Sequence, residues 1–172
     1  NLTINNTGGT GTGANAAGVS IRSSYFAAKF DNLEISNSTG PGIFALNGGA
    51  IQGSDWSLHD NGQEGFYLES AATIVDGLTL ENNGNSGVHI DDARYVYLSN
   101  LSSSGNADAG LEFNRANDIE SGSGDVSCIS CVSIGDNRGV SITDSVDIHF
   151  QGLEIHDPLT GPAISIDNSG LN

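Results

Sequence analysis

The sequence predicts an all-β chain wound into a parallel β-helix of about seven rungs of about 23 residues, and three observations predict it. A small residue followed by an apolar, any, apolar triplet recurs as "GVSI" at 18, "GIFAL" at 42, "GFYL" at 65, "GVHI" at 87, "GLEF" at 110, "GVSI" at 139 and "AISI" at 163, in steps of 24, 23, 22, 23, 29 and 24 residues. Every run between these triplets alternates apolar and polar residues, the period of a half-buried strand. Gly, Asn, Asp and Ser break the chain at each boundary, and no helical period is found anywhere.

Taken in order, "KFDNLEI" follows the first triplet and "DWSLHD" the second, each with apolar residues at alternate positions. "TIVDGLTLENN", "YVYLSNL", "CVSIGDN" and "VDIHFQGLEIHD" then follow the third, fourth, fifth and sixth. A unit of this length holds about three short strands. None can bury its apolar side alone, so successive units stack at about 4.8 Å, and seven of them form a rod on the order of 30 Å long. Asn37, Asn61, Asn83 and Asn106 recur shortly before the repeat glycine, where they serve either as plain turn formers or as a ladder of stacked amides. The glycine itself suits a positive-φ or tightly packed corner. Neither "NLTINN" nor "AISIDNSGLN" reads as a cap, so flanking domains, further rungs or end-to-end partners are expected at the two sheet edges.

The chain of 172 residues, 37% of them hydrophobic, suits one domain spanning 1–172. It contains no methionine, which marks it as a mature product, a proteolytic core or a piece of something longer. Twenty-one acidic residues face only Arg22, Lys29, Arg94, Arg115 and Arg138, giving a net charge of -16. Such a surface repels phosphate backbones and anionic bilayers, so nucleic acid and membrane are excluded as partners. Acidity with few lysines suits an extracellular or cell-surface setting. Cys128 and Cys131 form a lone C-x-x-C without a second pair or a histidine at zinc spacing. In extended chain their sulfurs face opposite ways, whereas a turn brings them together; a local disulfide and two buried thiols both remain open.

Alternation places the residues between and after the apolar positions of each triplet on the outer face: Ser20 and Arg22, Phe44 and Leu46, Tyr67 and Glu69, His89 and Asp91, Glu112 and Asn114, Ser141 and Thr143, Ser165 and Asp167. Stacking gathers Tyr67, His89 and Glu112 into one column and Glu69, Asp91 and Asn114 into the next. Carboxylates stacked so closely repel, which raises a pKa or draws in a cation, so Glu69, Asp91 and Glu112 are candidate calcium ligands. Phe44 offers a sugar-stacking platform, a covered contact or an interface. His59, His149 and His156 lie off this face.

The runs "HDNGQEGF", "LENNGNSGVHI", "GNADAGLEFNRA" and "GDNRGVSI" resemble the right-handed β-helix catalytic modules of secreted mannuronan C-5 epimerases, relatives of alginate and pectate lyases. The likeness covers about residues 57–145 and includes the long loop after "GLEF". It implies a uronate polysaccharide as partner and a tyrosine, a histidine and acidic groups that abstract and return a C-5 proton. Glu69 stands where the family carries a catalytic aspartate. The family's Asp-Pro-His-Glu motif lies one rung earlier, where this chain reads "FALN". On this reading His89 is the base and Tyr67 the acid, with Glu69 and Asp91 beside them. Glu112, Asn114, Arg115, Arg94 and Phe44 contact the substrate, and Asn114, Arg115 or calcium steadies its carboxylate. The alternative is a non-catalytic glycan-binding or structural surface β-helix, such as an adhesin, tailspike or filament segment.

Overall fold

The computed structural model describes residues 2–5, 7, 16–22, 27–47, 50–116 and 126–168, and every element among them is a β-strand. The loop after "GLEF" falls on 117–125, outside the described residues. One sheet stacks the short strands β2 (Val19–Arg22), β4 (Ile43–Leu46), β6 (Phe66–Glu69), β8 (Val88–Asp91), β10 (Ala109–Asn114), β12 (Arg138–Thr143) and β15 (Ile164–Asp167) in that order, one per rung, which gives the seven expected rungs. The other stacks β1 (Leu2–Asn5), β3 (Ala28–Ser36), β5 (Ile51–His59), β7 (Thr73–Glu81), β9 (Val96–Ser104), β11 (Val126–Ile134) and β13 (Ile148–Gln151), with β14 (Glu154–His156) also pairing β11. All pairings are parallel.

Each nine-residue strand bends at its fifth residue, where Asn32, Asp55, Gly77, Asn100 and Ser130 hold positive φ. Each coil therefore has three limbs, the number expected from repeat length. Further left-handed residues follow the long strands (Asn37, Asp60, Asn82, Gly105, Gly135) and the short ones (Asn47, Ser70, Asp92, Arg115, Asp144, Asn168). Short polar side chains tolerate this backbone because they bond to it locally, so the periodic Asn, Asp and Ser of the sequence are the corners of the coil.

The corner at Ser130 decides the cysteine question. It inserts one residue between two alternating limbs, so Cys128 before it and Cys131 after it both face inward, and they form a disulfide with a Cα–Cα distance of 6.0 Å. The pair stacks on Leu98 and Leu101 of the rung before. The remaining core follows the same columns, with Trp56 packed edge-on against Phe66 at 5.8 Å. Burying each such side chain contributes about 1.5–3 kcal/mol.

The amide ladder is real and starts one residue later than its first expected member. Asn61 donates to Asn83 (3.0 Å), Asn83 to Asn106 (2.9 Å) and Asn106 to Asp136 (2.9 Å), while Ser38 N–H donates to Asn61 Oδ1 (3.1 Å). Asn37 is instead an exposed corner at φ 55 that bonds Asn5, because the inward position on its rung belongs to Ser38. The repeat glycines are the tightly packed kind: a Cβ on Gly65 would lie 2.5 Å from Leu80 Cδ2 and 2.9 Å from Asn83 Nδ2. Glycine is thus required where the ladder meets the short strand. On the last rung the inward pair Ile164 and Ile166 remains 49% and 45% exposed, an apolar end surface among the described residues.

Candidate functional site

The short-strand sheet carries the candidate site on its outer face. Each strand is entered from a tight glycine and left through a left-handed corner, which fixes its pleat, so the second and fourth residues of β4, β6 and β8 point outward while the first and third are buried. Register follows the sequence expectation throughout: Phe44, Tyr67, His89, Glu112 and Ser141 form one column, and Leu46, Glu69, Asp91, Asn114 and Thr143 the next.

Phe44 and Tyr67 stack face to face, with ring centroids 5.0 Å apart and planes 4° from parallel. Tyr67 meets the His89 ring at 5.0 Å and 51°. The Tyr67 hydroxyl donates to Glu69 Oε2 at 2.9 Å. His89 Nδ1 stands 3.3 Å from Glu112 Oε2, an oxygen that also accepts the Ser86 hydroxyl at 2.7 Å. Both His89 ring nitrogens are shielded from solvent, and neither makes a hydrogen bond. In the second column Arg115 Nη2 reaches Asp91 Oδ1 at 2.7 Å; the arginine side chain is 52% exposed and the aspartate 13%.

Burial pushes the Tyr67 phenol well above its ordinary value, and the hydrogen bond to Glu69 together with the charges of Glu69, Asp91 and Glu64 push it further the same way. This phenol is a held proton donor at neutral pH. Burial also raises the Asp91 carboxyl; Arg115 and His89 pull it down, Glu69 and Asp92 push it up, and burial wins. The column is therefore an environment that resists adding negative charge.

Each of the three carboxylates has a partner of its own. Glu69 takes the phenol, Asp91 takes Arg115, and Glu112 sits in the other column bonded to Ser86. Among the described residues no three of His, Cys, Asp and Glu form a group that could hold a metal ion. Arg115 supplies a positive charge beside Asp91. Arg94 also lies apart from the columns, in the turn between β8 and β9, where it lines a depression of about 270 Å³ with Ser70, Asp92 and Tyr95.

Two participants escaped the sequence reading. Ser86 and Glu64 each stand one residue before a repeat glycine; Ser86 is bonded to Glu112, and Glu64, 7% exposed, accepts from Asn85 at 2.5 Å and adds to the field on Tyr67. Their signal was the polar residue preceding the glycine in "QEGF" and "NSGV".

Together these features define a parallel β-solenoid with a column of aromatic, imidazole and carboxylate side chains on one wall. A profile of the right-handed β-helix region matches residues 17–171, and the chain belongs to that family. No curated protein sequence matches it. Among solved structures, the A-module of the Azotobacter vinelandii mannuronan C-5 epimerase AlgE4 superposes with a TM-score of 0.50 at 16% identity, covering 79% of this chain and 44% of that one. The chain thus spans less than half of the structure it matches, and at this identity the likeness is one of fold.

Proposed function

We propose that this chain is a carbohydrate-active β-helix that acts on an anionic uronate polysaccharide by C-5 proton abstraction, with epimerase or lyase outcome. The observation that carries the reading is the contact of Tyr67 with His89 beside the Asp91–Arg115 pair. Removing a proton beside a carboxylate leaves an enolate-like dianion, so the site needs a base, an acid and a cation. His89 takes the C-5 proton through a ring nitrogen that no hydrogen bond occupies, after a rotamer change that uncovers it. Arg115 steadies the substrate carboxylate with the exposed part of its guanidinium, beside Asn114, and offsets the repulsion of a protein of net charge -16. Tyr67, held protonated, donates either to C-5, which inverts the sugar, or to the departing 4-oxygen, which breaks the C4–O bond and leaves a C4–C5 double bond. Glu69 orients the phenol. An extracellular or cell-surface setting accords with the Cys128–Cys131 disulfide.

A second reading, glycan binding without turnover, is favoured by Phe44 and Leu46, which fill the rung where the epimerase-like pattern would place its Asp-Pro-His-Glu motif. Incubation with polymannuronate, polyguluronate and pectate in D₂O, with and without calcium, separates the readings. Deuterium at C-5 identifies epimerisation, absorbance from unsaturated ends identifies elimination, and retained binding with neither identifies the second reading. Tyr67→Phe and His89→Ala are expected to abolish turnover while the fold persists; full activity in both removes the site assignment.

A further inference from the structure

We propose that the long-strand sheet carries a second carbohydrate site, a groove on its outer face that binds an uncharged glycan chain. The inference stands apart from the chemistry of the Tyr67 column. Before the bend, the outward positions of β7, β9, β11 and β13 stack as Ile74, Tyr97, Ser127 and His149, with Ile129 and Gln151 in the adjoining column. With Tyr95 at its edge, this surface forms a groove of about 580 Å³, within the size range of ligand sites. Ile74, Tyr95 and Tyr97 remain 50%, 61% and 41% exposed there, side by side.

Tyr95 supplies the independent observation. Its backbone is left-handed at φ 57, and of the sixteen non-glycine residues with positive φ among those described, fourteen are Asn, Asp or Ser. A bulky aromatic is strained in this region, and strain is retained where function requires the side chain. Asp147 holds the matching corner two rungs on, so the coil accepts a small polar residue at this place and carries a phenol instead.

Charge selects the occupant. Among the described residues no lysine or arginine lines the groove, and its one carboxylate is Asp147, in a protein of net charge -16. A polyuronate finds no counter-charge here, and a second copy of the chain brings the same repulsion. An uncharged pyranose chain fits both halves of the surface. Its C–H faces lie on the tyrosines and Ile74, and its hydroxyls meet Gln151, His149 and Ser127.

The test is saturation-transfer NMR and calorimetry on the whole chain with cellohexaose, mannohexaose and laminarihexaose, with hexamannuronate as the anionic comparison. At least one neutral hexasaccharide is expected to bind, and Tyr97→Ala to weaken it about tenfold. Tyr95→Asn is expected to weaken it similarly while raising Tm, because asparagine suits the corner; Tyr67→Phe leaves it unchanged, which keeps the two faces distinguishable. Failure of all three neutral sugars to bind, displacement of the bound sugar by hexamannuronate, unchanged affinity in both groove variants, or a shift in oligomeric state with Tyr97→Ala would overturn the proposal.

Discussion

Asn83→Ala tests the feature on which the site's geometry rests. The Asn83 amide accepts from the Asn61 N–H at 3.2 Å and the Asn61 side chain at 3.0 Å, and donates to Leu58 O at 3.0 Å and Asn106 Oδ1 at 2.9 Å. Truncation strands the Asn61 N–H. The other three groups fare better: Asn61 Nδ2 keeps Ile35 O at 3.4 Å, Asn106 Oδ1 keeps the Asn83 N–H at 2.9 Å, and a strand carbonyl has a second lone pair. One buried donor left bare costs about 1–3 kcal/mol and three weakened partners add about 0.5–1 each, for a total of about 4 kcal/mol. Against an ordinary stability of about 5–15 kcal/mol this is a large loss, and it falls directly behind the strands that hold Tyr67 and His89.

Equilibrium urea unfolding followed through Trp56, the single tryptophan and 1% exposed, reads the change. A companion pair sharpens it. Asn83→Asp keeps the two accepted bonds but loses both donors and buries a charge, so it should cost at least as much as the alanine. Asp136→Asn should stay within about 1 kcal/mol, because this end of the ladder only accepts, from Asn106 and Ser133, and the serine hydroxyl can reverse its role. A loss below about 1 kcal/mol for Asn83→Ala with an unchanged m-value, or equal effects of the two Asn/Asp exchanges, refutes the ladder as a structural element.

Three further outcomes are expected. The raised Tyr67 pKa means the fold holds a proton that the unfolded chain releases near pH 10, so stability falls as pH rises above about 10 and this fall is absent in Tyr67→Phe; unfolding curves at pH 9 and 11, with tyrosinate difference spectra, measure it. Arg115→Asn removes the cation beside Asp91 but places asparagine in a left-handed corner at φ 48, so thermal stability should hold or rise while turnover on a uronate polymer drops by at least tenfold. Reduction of Cys128–Cys131, which closes a loop with a sequence separation of only 3, should cost about 2 kcal/mol and leave substrate binding intact, as followed by calorimetry with and without reductant.

The coil and the face were legible because their signals are periodic. Glycine steps set the rungs, and alternation after each glycine set which side chains share a wall, so Tyr67, His89 and Glu112 could be placed together without coordinates. What resisted reading turned on single left-handed residues. Ser130 reverses parity between the cysteines, and the corner at Asn37 displaces the ladder by one position to Ser38. Strand alternation carries no warning of an inserted corner when the residue there is serine. The partner each carboxylate takes was hidden for a different reason: their proximity along the columns follows from spacing, but partners depend on side-chain directions that spacing does not encode.

The corners also give a way to separate decoration from function in a coil built from near-identical turns. After β4, β6, β8, β12 and β15 the chain uses Asn47, Ser70, Asp92, Asp144 and Asn168, residues that the backbone prefers, and after β10 it departs from the rule at Arg115. The departure costs about 1 kcal/mol of backbone strain, while a partly exposed ion pair returns about 0–1 kcal/mol, so stability alone gives no reason to retain an arginine there. Its guanidinium lies against Asp91, a carboxyl that burial, Glu69 and Asp92 push up. A cation held at some cost beside a buried carboxyl, on the wall that also carries a phenol kept protonated, accords with the proposed uronate substrate, and an acidic surface serving only solubility would have no cause to maintain it.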